Sequence, residues 1–192
     1  MKKDQGEEST GSVAVAPPNR QTITTDFDGV LVFERMAEIM SMCDRDNPIY
    51  EQVSCFSVTL YALGFCECPD FMSFQDVSAG EAAELLRSHF SEIDPDKIPA
   101  DYHITRSKER YLLVIGDPLF PIHFAVVTDN SAERPYFSKL PFFGAGYDSM
   151  AELVSEFAGI DGVTAEDFHF FRKNRLGRIP PSSIGKIYIV RD

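Results

Sequence analysis

The sequence predicts a single α+β domain, with helices coming first and packing on a mostly antiparallel sheet that follows. Three observations predict it. Apolar residues at helical spacing dominate the chain up to about residue 90, in three separate stretches. From Tyr111 onward, β-rich runs such as YLLVI and IHFAVVT alternate with turn-forming GDPLFP and DNSAERP. The composition, 44% hydrophobic and 25% charged over 192 residues, is that of a soluble globular domain large enough to fold without disulfides or a structural metal.

Residues 1–21 are polar, small and closed by Pro17-Pro18, so they read as a flexible tail, and 22–192 as the domain. Gly29 to Cys43 sets Val32, Met36, Ile39, Met40 and Cys43 on one helical stripe, which DRDNP then breaks. Ser54 to Leu63 is apolar almost all round, the mark of a buried helix, with Ser54 as N-cap and Gly64 just past the C-terminus. Ser78 to Phe90 is amphipathic, and Ser78 with Glu81 forms a capping box. Strands are expected at Tyr111 to Ile115, Ile122 to Thr128 and Tyr136 to Leu140. A further helix is expected from Ser149 to Phe157, then late strands at Phe168 to Arg172 and Lys186 to Val190.

The net charge of −12 is unevenly spread, because residues 169–192 carry six basic side chains against one acidic. An acidic body repels phosphate backbones, so nucleic-acid binding is not expected, and FHFFRKNRLGR reads as a solvated basic edge. No apolar run reaches the roughly 18 residues a membrane span needs, and the start lacks a signal-peptide core, so a cytoplasmic location is expected. Cys66 and Cys68 are too close to cross-link, and reduced thiols follow.

Two residues stand where thiol chemistry would need them. Cys55 opens the buried helix, where free N–H groups and the helix dipole favour an anion and lower a thiol pKa. His123 begins an otherwise apolar strand. A nucleophilic Cys and a basic His, distant in sequence but brought together by folding, are the working pair of thiol hydrolysis.

The order of these features resembles the papain-like fold in its compact bacterial form, the NlpC-type peptidases and related amidases. Cys55 at the start of a helix ending in Leu-Gly is followed by Gly116-Asp117 and then by His123-Phe124-Ala125-Val126-Val127. Ser138-Lys139-Leu140 with Gly144 matches a later segment, and Ile184 to Val190 the closing strand. The resemblance implies a cysteine hydrolase or an acyl or amide transferase acting on a peptide, amide or ester, with no cofactor. Phe56-Ser57 departs from the usual Ser-Gly after the nucleophile. A hairpin between residues 122–128 and 136–140 places Ser138 to Leu140 opposite His123, making Ser138 the first candidate to orient the imidazole and Asp148 the second. Gln52 is the candidate donor to an oxyanion.

Two other readings stay open. A non-catalytic protein on the same fold would use its acidic body and aromatic segments to hold a basic partner. Asp26-Phe27-Asp28-Gly29-Val30 resembles the first motif of Asp-dependent phosphatases, although RQTITT before it is too polar for the buried strand that chemistry requires, and an Asp-rich helix start explains it as well. Cys66-Glu67-Cys68 lacks the spacing and the second pair of a zinc site.

Overall fold

A computed structural model describes residues 28–45, 53–65, 70–73 and 75–174. The tail, Asp26, Gln52, Cys66, Cys68 and the closing strand expected at 184–190 all lie outside the described residues.

Among the described residues the chain is α+β, with four helices and one six-stranded antiparallel sheet. In chain order these are α1 (Asp28–Met42), α2 (Cys55–Ala62), α3 (Ala79–His89), β1 (Phe90–Ile93), β2 (Tyr111–Ile115), β3 (His123–Val127), β4 (Tyr136–Lys139), β5 (Ala145–Asp148), α4 (Met150–Phe157) and β6 (Phe168–Lys173). The strand order is β1-β6-β2-β3-β4-β5. β2 runs between β3 and β6, with Leu113 opposite both Ala125 and Phe170. No helix among the described residues is long and apolar enough to cross a membrane.

The helices form for the local reasons the sequence suggests. Ser54 caps α2 by accepting from the Ser57 N–H, and every residue from Phe56 to Ala62 is buried, as a helix without a polar face must be. Gly64 supplies the positive φ of +73° that lets the chain leave the helix. Ser78 with Glu81, and Ser149 with Glu152, make full capping boxes for α3 and α4.

Two strands depart from expectation. β1 follows α3 directly and pairs with β6, so Phe90 ends a helix and starts a strand. β5 occupies a segment for which no element was expected: Ser138 pairs with Gly146 and Tyr136 with Asp148. The outer edge of β5 meets the end of α1 through a parallel bridge between Asp44 and Ala145. That approach needs a glycine beside it, because a Cβ on Gly144 would stand 1.6 Å from the Asp44 carbonyl oxygen. Asp28 begins α1, so this part of the phosphatase-like segment is helical and does not end a strand as that chemistry requires.

Strand alternation fixes which way the β3 side chains point. Phe124 turns toward α2, its ring meeting Phe56 edge-on at 4.9 Å between centroids. His123 turns the other way and lays its ring on Phe157 of α4, at 4.5 Å.

Candidate active site

The start of α2 lies beside the start of β3. Ser54 fixes this end: its hydroxyl donates to the Val77 carbonyl at 2.9 Å, and its N–H donates to Asp76 Oδ1 at 2.8 Å. One turn on, Thr59 Oγ1 donates to the Phe124 carbonyl at 3.1 Å, tying the helix to the β3 backbone. Cys55 is half-buried, and its Sγ donates to the Ile122 carbonyl at 3.9 Å. A cleft of about 200 Å³ opens here, lined by Val53, Ser54, Cys55, Ile122, His123, Lys139 and Pro141.

The fold therefore brings Cys55 and His123 to one cleft, without a hydrogen bond between them. His123 is fully buried, and neither ring nitrogen has a partner among the described residues. Burial holds its pKa down to about 3, with the charges of Arg45 and Lys139 adding to the effect. The thiol moves oppositely to the expectation from its place at a helix start. Burial pushes Cys55 up to about 11, outweighing the Phe124 backbone hydrogen bond and the Lys139 charge that favour the thiolate. At neutral pH the resting pair is a neutral thiol and a neutral imidazole.

Ser138 and Asp148, the candidate orienters, form a different group. Ser138 Oγ donates to Asp148 Oδ2 at 3.3 Å, and the Arg45 guanidinium binds the same carboxylate. Burial raises the Asp148 pKa, while Arg45 and the Ser138 hydroxyl oppose the rise. Neither Ser138 nor Asp148 reaches the His123 ring. The regular β3–β4 ladder consists of Val126↔Phe137 and Val127↔Tyr136, so Ser138 gains no place in it opposite His123.

Sequence reasoning missed Lys139 and Arg45. A lysine at the end of a strand reads as solvated, yet Lys139 is only 3% exposed and lines the cleft. The aromatic segments noted in the sequence flank the same end of the sheet: Phe120 in the β2–β3 loop and Phe142 in the β4–β5 loop are 76% and 81% exposed. Among the described residues no group of three or more His, Cys, Asp or Glu is placed to hold a metal ion.

No protein-family model, curated protein or solved structure matches this chain.

Proposed function

We propose that the chain is a cysteine hydrolase or acyl/amide transferase of papain-like type. The observation that carries this reading is the meeting of Cys55, at a helix start, and His123, at a strand start, on the walls of one cleft. Cys55 Sγ forms a bond to the substrate carbonyl carbon while its proton passes to His123. The proton then goes to the departing amine or alcohol, leaving an acyl-thioester that water or a second nucleophile resolves. Because the resting pair is neutral, the proton moves during attack, with no preformed ion pair. That requires the thiol to leave the Ile122 carbonyl and the imidazole, which rests on Phe157 with its side chain turned away from α2, to swing toward the sulfur when substrate enters.

Intact-mass and peptide mapping after reaction with p-nitrophenyl acetate tests the reading. Acetylation is expected at Cys55, absent in Cys55→Ser and slowed about a hundredfold or more in His123→Gln. Acetylation of Cys55 at the same rate with and without the imidazole would sink it.

A second reading, favoured by exposed Phe120 and Phe142 beside the cleft, is a non-catalytic protein that holds a basic, partly apolar partner against its acidic body. Its mark in the same experiment is a Cys55 that stays unacylated until the chain is unfolded.

A further inference from the structure

Exposed apolar side chains gather at one end of the sheet. Five of the eight large ones among the described residues are Leu119 and Phe120 between β2 and β3, Phe142 and Phe143 between β4 and β5, and Ile160 between α4 and β6. The strand pairing puts these three connections together. Ile115 at the end of β2 stands opposite both His123, where β3 begins, and Phe168, where β6 begins, and β4 runs antiparallel to β3, so it ends at Lys139 on the same side. The turn that carries Phe120 is fixed: Asp117 accepts the Leu119 N–H on Oδ1 and the Phe120 N–H on its carbonyl oxygen, both at 2.8 Å. Gly116, at a φ of +92°, donates its N–H to the Asp167 carbonyl at 2.9 Å and ties this turn to the α4–β6 connection. A ring already held outward engages a partner without the entropic cost of ordering its loop.

The rim of this surface carries one sign of charge. Residues 116–122, 140–144 and 158–167 contain Asp117, Asp161, Glu166 and Asp167 and no Lys, Arg or His. Lys139, at the foot of the second connection, is buried. A second copy laid here about a twofold axis would set these carboxylates against their like, and they repel an anionic lipid surface. An apolar centre with an acidic rim is complemented by a polypeptide segment whose apolar side chains are flanked by Lys or Arg.

We infer that this end of the sheet is a docking surface for such a basic, apolar polypeptide segment, seated against Phe120 and Phe142. The inference rests on the second reading above and gives it a place, its side chains and a bearing on the cleft. Ile122 and Pro141, which line the space beside Cys55, stand next to these rings in the chain, so a seated segment covers the mouth of the cleft.

The test uses the fluorescein-labelled peptide KKLFLKK, read by anisotropy, with EELFLEE as the control of opposite charge. KKLFLKK should bind the full chain and EELFLEE should not, and salt should weaken the binding. Phe120→Ser with Phe142→Ser should weaken it about tenfold or more, at an unchanged urea midpoint because both rings are exposed. Asp117→Asn, Asp161→Asn and Glu166→Gln together leave the turns intact, since Asn keeps the Oδ1 acceptor and tolerates the φ of +49° at position 161. They should weaken binding about fivefold at low salt and remove most of its salt dependence. Bound KKLFLKK should also slow alkylation of Cys55 by iodoacetamide. Equal binding of both peptides, full-strength binding to the Phe120→Ser/Phe142→Ser chain, or binding that leaves the Cys55 rate unchanged would overturn the inference. So would a wild-type dimer that this variant makes monomeric, which gives the surface to a second copy, or binding to phosphatidylcholine vesicles that it abolishes, which gives it to lipid. Failure to bind KKLFLKK by a chain whose Cys55 acetylates through His123 would discard the docking surface and keep the hydrolase. Binding by a chain whose Cys55 does not acetylate would keep the docking surface and discard the hydrolase.

Discussion

The two halves of the sheet bury different things. On one side β2, flanked by β6, is buried at all five positions, and every one of them is apolar or aromatic: Tyr111, Leu112, Leu113, Val114 and Ile115. On the other side β3, β4 and β5 bury His123, Ser138, Lys139 and Asp148 among their apolar neighbours. Apolar burial stabilises by roughly 25 cal/mol per Å² removed from water, whereas buried polar groups cost free energy unless each finds a partner. The first half thus has a sufficient reason to exist in stability alone. The second adds to its own apolar core, with Phe124, Val126 and Phe137 in it, one buried ring that has no hydrogen-bond partner among the described residues, His123, and the candidate site lies there, with the Arg45–Asp148 ion pair closing the edge where α1 meets β5.

The largest effect separating the halves should come from the apolar one. Leu113 is fully buried between Ala125 and Phe170 on its neighbouring strands. Leu113→Ala removes its methyl groups and leaves a cavity, and should cost about 2–5 kcal/mol in urea unfolding while native Cys55 alkylation stays unchanged. A loss below about 1 kcal/mol would show that the centre of the sheet relaxes around the gap and is not the stabilising half.

The next effect belongs to the polar half and depends on pH. Burial first, then Arg45 and Lys139, hold the His123 pKa at about 3 against an ordinary 6.5. Unfolding frees the ring to bind a proton, so acid favours the unfolded chain. The stability that this neutral ring contributes is full above about pH 6.5 and is lost progressively as pH falls toward 3. His123→Phe keeps an aromatic ring against Phe157 and cannot titrate. It should therefore remove a few kcal/mol of the acid-induced loss across that window, read from urea midpoints at several pH values. An unchanged pH profile would mean that His123 is not held neutral by the fold.

These two regions were also unequally legible in the sequence. α2, α3 and α4 could be read closely because their signals are local: a capping residue, an apolar period and, for α2, a glycine at its end. β1 and β5 could not: FSEI is four residues long and runs straight on from the helical pattern of α3, taking its form from β6 far along the chain, while AGYD carries little strand propensity of its own and takes its form from β4. The candidate site divides in the same way. Cys55 and His123 are visible as residue types in an order that thiol chemistry uses. Lys139 and Arg45 are invisible, because nothing in the sequence says that a strand-end lysine is buried or that the arginine beyond α1 reaches Asp148. The thiol shows why: the helix-start argument is local and favours the thiolate, while burial, set by tertiary packing, decides the direction.

The smallest effect tests what covers the polar half. α4 lays Phe157 on the His123 ring and is opened by a capping box, in which Ser149 Oγ accepts from the Glu152 N–H at 3.2 Å and Glu152 accepts from the Ser149 N–H at 2.8 Å. Ser149→Ala removes one side of that exchange and should cost about 1 kcal/mol. For a chain of this length that corresponds to a fall of about 2–4 °C in Tm by calorimetry. Because Leu153 and Phe157 would still be buried, α4 should remain docked and the acid dependence from His123 should persist, only starting from a lower stability. If the pH profile flattened as it does in His123→Phe, the cap would be holding α4 over the imidazole, and the neutral state of His123 would depend on the helix start as much as on the packing of Phe157.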